Sequence, residues 1–335
     1  MRISNLIPIV GLFMAGAVAA SGPQCPAVDA PPAATCVATV NGLAYADTAE
    51  EADIAARALD DAAQRYAGHF GRAPVGMLVL STSVDGTAAT AFAKSHGLEF
   101  AQVWLPAQAK RAMTERAMRQ AGMDRARIGQ ALARAAGQEE ITLRHEVGHA
   151  MYAAMFWPDA TGTLQERYGT PAPDWLDEAV AVAMETPESQ ARHLAMFIDV
   201  AKQRPREVPG LADFLASEHP VRSAALARAL ARGPKSDSGV QMMVASGGGF
   251  AGLETFYGQS LLTALFLAET SGDPRILAPI SAAIAEGTNF DTWLAREGAN
   301  YNLPQTVTAL QPRWDDWLRQ QVLRRDRGDG RRTTP

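Results

Sequence analysis

Residues 139–156 read EEITLRHEVGHAMYAAMF, a helical run closed by Pro158. The chain changes character across this run. Upstream, ATVNGLAYA (38–46) has β-type composition, and Thr48 to Tyr66 carries apolar residues at helical spacing behind an acidic first turn. VGMLVLS (75–81) follows the Gly71-Arg72-Ala73-Pro74 breaker and reads as a strand, and FAQVWLP (100–106) is a second extended segment ended by Pro106. Between 107 and 136 the Ala-, Arg- and Met-rich sequence reads as two scaffold helices broken near Gly122. Downstream, almost everything is helical in pattern: 173–185, 189–203, 221–232, 256–270, 274–286 and 313–325. The expected fold class is therefore α+β, with a small N-terminal α/β sheet layer followed by a mainly α-helical C-terminal part and a cleft between them. Pairing direction within the sheet does not follow from the pattern.

The ends of the chain are read separately. MRISNLIPIVGLFMAGAVAASG has a basic start at Arg2, an apolar run from Leu6 to Ala20 and small residues before Ser21, the layout of a secretory signal peptide over 1–20. The apolar run is shorter than the roughly 20 residues that span a bilayer, so a cleaved segment is expected, with a secreted or periplasmic product and no stable membrane insertion. Cys25 and Cys36, the two cysteines, fall in the leader that follows (21–37), and in an oxidising compartment they suggest one disulfide closing a small loop. Region 38–136 is then the α/β layer with its scaffold helices, 137–190 the helices of the opening run and of the segment that follows it, 191–325 a helical C-terminal region and 326–335 a disordered basic tail. The loops 233–239 and 246–252 interrupt the helical half, and the glycine run SGGGFAG lacks the Lys-Ser/Thr ending of a phosphate cradle.

Composition bounds function. With 47% hydrophobic and 20% charged residues the chain can bury a sizeable core, and a net charge of −5 gives no reason to expect a nucleic-acid partner. The motif in the opening run is more informative. His145 and His149 stand four apart, about 40° from each other around a helix and roughly 6 Å along it, so both imidazoles can reach one zinc ion. Glu146 points about 100° further round, outside that ligand set but near enough to hold an activated water as general base. Given six histidines and 36 acidic residues, H-(D/E)-x-x-H arises by chance about 0.01 times in such a chain.

A catalytic zinc site has three protein ligands, so one more is needed. PDWLDEAVAVAME (173–185) places Glu178 on an apolar helix where an unpaired carboxylate is costly, and the small residues after it allow close packing on the first helix. Together, His145-Glu146-Val147-Gly148-His149 and Trp175-Leu176-Asp177-Glu178-Ala179-Val180-Ala181 resemble the gluzincin zinc metallopeptidases, the thermolysin-like group that includes the aminopeptidases. The resemblance covers residues 139–185. It implies His145, His149 and Glu178 as ligands of one Zn2+, Glu146 as general base, and a peptide or protein substrate. It also implies that Tyr257, in FYGQSLL, donates to the oxyanion, and that FAQVWLP is an edge strand binding the substrate backbone.

Two departures stand out. The 28 residues between His149 and Glu178 form a longer connection than the family's. Where the group has an aspartate four residues after its ligand glutamate, buttressing a zinc histidine, this chain has Val182, so that partner must come from elsewhere, with Asp174 and Asp177 as candidates. A binding module that keeps the fold, and a zinc hydrolase of a non-peptide substrate, remain open alternatives.

Overall fold

Thr39 and Gly42 pair across a tight turn at Val40-Asn41, and this turn divides the 38–46 segment into two antiparallel strands, β1 (Thr35–Thr39) and β2 (Gly42–Ala46). Gly42 is required there: it has φ +158°, and a Cβ on it would lie 2.0 Å from the Gly76 carbonyl oxygen of the next strand. The computed structural model describes residues 22–135, 137–160, 169–220 and 251–326. The expected signal segment, the helix at 221–232, the loop at 233–239, most of the glycine run at 246–252 and nearly all of the basic tail lie outside the described residues.

The protein is α+β. After β2 come α1 (Ala49–Phe70), β3 (Gly76–Leu80), α2 (Gly86–Ser95) and β4 (Phe100–Trp104), building a mixed sheet of order β1-β2-β3-β4 in which β2-β3 and β3-β4 are parallel. The helix α2 was not expected. Its N-cap is Asp85, whose carboxylate accepts from the Ala88 N–H at 2.8 Å, and only Ala89 and Ala93 are buried along it, too short an apolar stripe to stand out in the pattern. The helix α1 starts at its own cap, Thr48, and ends at Gly71 in the left-handed conformation.

Alternation along β2 and β3 sorts side chains to two faces. Leu43, Tyr45, Met77 and Val79 pack under α2, whereas Ala44, Ala46, Leu78 and Leu80 join α1 and the helical half in the larger core. Covered on both sides, β2 and β3 are buried at every position. β1 begins at Thr35, taking in the last three residues of the expected leader, and is tied to the rest of it by the Cys25–Cys36 disulfide, with Cα atoms 6.0 Å apart.

Next come α3 (Ala107–Gln120) and α4 (Arg125–Ala135), then α5 (Glu139–Phe156) at the expected bounds. The helical half continues with α6 (Asp174–Ala183), α7 (Pro187–Gln203), α8 (Leu211–Leu215), α9 (Ala251–Ser271), α10 (Leu277–Ala285), α11 (Phe290–Glu297) and α12 (Val307–Asp326). The short α8 and α11 were not expected. α11 is held by Phe290 and Trp293, the former edge-on to the fully buried Trp175 of α6. α12 reaches Asp326 and seats Trp314 and Trp317 against Phe266 of α9, the Trp317 indole donating to Glu269 at 2.6 Å. α5 packs on α1 and α6, and α9 packs on α6 and α7, so the opening run sits between the sheet layer and the helical half. Among the described residues no helix is long and apolar enough to cross a membrane.

Candidate metal centre

Gly148, in the middle of the H-E-V-G-H run, is what lets α6 approach α5. A Cβ at this position would lie 2.9 Å from Met184 Cγ and 3.1 Å from Ala181 Cα. The small residues after Glu178 complete that contact, and Glu178 comes to rest beside both histidines. Arg144, buried next to His145, fixes α5 from behind by donating to Asp61 of α1 at 2.7 Å.

The three expected ligands converge. His145 Nε2 lies 3.2 Å from His149 Nε2 and 3.3 Å from Glu178 Oε2, and His149 Nε2 lies 3.8 Å from Glu178 Oε1. A tetrahedral ion with bonds of about 2.0–2.1 Å spaces its donors roughly 3.3 Å apart. All three side chains are almost completely buried, and Glu178 Oε2 has no hydrogen-bond partner among the described residues. An acceptor held dry and unsatisfied beside two imidazole nitrogens suits a cation. The group could hold a metal ion.

The far side of each imidazole is anchored by a carboxylate. His149 Nδ1 lies 3.0 Å from Asp177 Oδ1, and His145 Nδ1 lies 3.0 Å from Glu185 Oε1. When the rings are neutral, their Nδ1–H groups donate outward to these carboxylates and both Nε2 lone pairs face the space between them. Asp177, a candidate from the sequence, takes this role and also accepts from the Thr170 N–H at 3.0 Å, so it does not cap its helix. Asp174 accepts instead from the His219 backbone N–H at 2.6 Å. Glu185 was not expected. It sits two turns beyond Glu178 on the same face, in the turn after α6, and occupies the role that Val182 cannot fill.

Two further histidines enter the site. His193 Nε2 lies 3.0 Å from Glu185 Oε2, and Ser189 also donates to that oxygen. His219, 1% exposed, brings Nε2 to 3.4 Å from Glu178 Oε1. Neither has a motif spacing to the others, so no sequence signal marks them. Tyr257 arrives with α9, its ring 5.6 Å from His145 and 5.7 Å from His219.

Charge follows from this enclosure. Burial pulls both histidines down, but Glu178 and Glu185 hold His145 well above its ordinary value, and Asp177 and Glu178 lift His149 to about 9. Burial works to raise Glu178, yet His149, His145 and His219 bring it down to about 2. Glu146 differs. It is half-buried, and burial raises its carboxyl, helped by the charge of Glu178 and opposed by His145, His149 and Lys110. A carboxylate raised in this way is a better proton acceptor than an exposed one.

Comparison of the chain with family models, curated proteins and solved structures finds no match. The site itself presents two oriented imidazoles and one carboxylate that could hold a cation, and a second, more basic carboxylate, Glu146, next to His145 on α5.

Proposed function

We propose that this protein is a secreted or periplasmic zinc-dependent peptidase of gluzincin type. The observation that carries the reading is the pairing of a closed donor triad, His145, His149 and Glu178, with Glu146 left outside it. Two imidazoles and a carboxylate at tetrahedral spacing are a donor set suited to zinc. Zinc bound there would supply a Lewis acid for the scissile carbonyl and a lowered pKa for a coordinated water.

The chain's residues do the rest. Asp177 and Glu185 hold the imidazoles in the tautomer that presents Nε2. Glu146 takes the proton of the attacking water and delivers it to the leaving amine, which its raised proton affinity favours. Tyr257, alongside His145, donates to the developing oxyanion. β4 has one free edge among the described residues and packs on α5, which suits it to pair with an extended substrate backbone. The Cys25–Cys36 disulfide agrees with an oxidising compartment.

The test is metal content together with cleavage of a general peptide library at neutral pH. Wild type should bind one zinc and cleave, and Glu146→Gln should keep the zinc while losing about 10²–10⁴-fold in rate. His145→Ala should lose the metal. Zinc bound with no peptide cleaved would make the protein a binding module, and unchanged zinc in His145→Ala would remove the ligand assignment.

A further inference from the structure

Between β4 and α5 the chain inserts the α3–α4 hairpin. Residues 107–135 hold seven lysines and arginines against two acids, a net +5 in a chain of −5, which leaves −10 for the remainder. Little of this charge is neutralised locally. Arg119 pairs with Glu115 and Arg127 with Asp124, whereas Arg111, Arg116 and Arg125 are exposed and make no ion pair among the described residues.

The hairpin stands apart from the rest of the fold. α3 and α4 pack principally on each other, and their buried Ala117, Ile128 and Leu132 belong to neither core. Yet it is rooted at the metal centre. α3 starts just after Trp104 at the end of the edge strand, and α4 ends just before the helix that carries His145. In the first turn of α3, half-buried Lys110 places Nζ 5.8 Å from the ring centre of Trp104, the last residue of the edge strand.

We propose that this hairpin selects acidic peptides for the site, with Arg111, Arg116 and Arg125 providing the attracting field and Lys110 the cation at the end of the edge strand. The inference rests on the peptidase reading. A peptide rich in Asp and Glu is attracted by the net +5 of the hairpin and repelled by the net −10 of the remainder, so the field concentrates it at the hairpin. An anionic membrane fits less well, because a surface-lying helix needs an exposed apolar stripe. The large exposed hydrophobics, Val28, Val40, Met196 and Leu323, all lie outside 107–135.

The test uses the full zinc-loaded chain carrying Glu146→Gln and fluorescence anisotropy with labelled peptides of one length rich in Glu, Gln or Lys. The Glu-rich peptide should bind about 10-fold tighter than the Gln-rich one at roughly 50 mM salt, and the advantage should vanish near 500 mM. Combined Arg111→Glu, Arg116→Glu and Arg125→Glu should abolish it and favour the Lys-rich peptide. The corresponding three Gln replacements should fall between, with an unchanged melting curve guarding against misfolding. Equal binding of the three peptides, or a preference that survives the charge reversal, overturns the proposal. So does binding to phosphatidylserine-containing vesicles without peptide selectivity. Charge-ordered binding with no peptide cleaved by the Glu146 form would keep this inference and remove the peptidase reading. Cleavage blind to charge would do the opposite.

Discussion

Glu185 accepts from His145 on one oxygen and faces His193 and Ser189 with the other, so a single carboxylate orients a candidate ligand and is itself held from behind. Replacing such a partner typically costs 10–100-fold in metal affinity. Glu185→Gln and Asp177→Asn are each expected to weaken zinc binding by about that factor, measured by competition with a chelator. A fall in one variant and not the other would separate the two anchors. His193 carries its own signature. Burial lowers it, but Glu185 and Glu254 lift it from 6.5 to about 9. A raised histidine contributes stability that is fully present below its unfolded value and is lost as pH rises through the folded one. The stability gap between wild type and His193→Asn should therefore be widest below pH 6.5 and close as pH passes about 9, read from denaturant melts at stepped pH.

At the scale of elements, the α5–α6 contact determines whether the site exists. Glu178 reaches the histidines because Gly148 presents no side chain to Ala181 and Met184. Gly148→Val is expected to cost about 1–3 kcal/mol by overpacking. It should also lower zinc affinity, since separating the helices withdraws Glu178. Thermal melts with and without metal would check both effects, and unchanged affinity would show that α6 is positioned by other contacts. The H-E-V-G-H helix itself was legible to the residue, because its motif, periodicity and Pro158 stop agree. The same pattern reads β1 and β2 as one segment although Asn41-Gly42 is a hairpin signal: the turn itself falls one residue earlier, at Val40-Asn41, and the tightness that requires Gly42 comes from Gly76 on a later strand. α2 and α11 escape the pattern because both are short and are stabilised by what they pack against.

Across the whole molecule, the N-terminal disulfide and the candidate metal centre lie on separate elements. The bond ties the leader to β1, whereas the site is assembled by α5, α6 and the turn that follows, with α7 and α9 beside it. Reducing Cys25–Cys36 removes a short-loop constraint of about 3 kcal/mol. It should lower the melting temperature while leaving zinc affinity unchanged; a drop in affinity would mean that the sheet layer's stability is transmitted to α5. The amino-acid order alone determined the α+β class, the four residues His145, Glu146, His149 and Glu178, and the cysteine pair. The class depends on local periodicity, His145, Glu146 and His149 on helix spacing, Glu178 on a second motif, W-L-D-E-A-V-A, across 28 intervening residues, and the cysteines on an even count in a short leader. Tertiary structure decided the strand directions, the choice of Asp177 over Asp174, and the entry of Glu185, His193 and His219. Those partners are fixed by which buried polar atom must be satisfied when two helices close on each other, a requirement that arises only once the chain has folded.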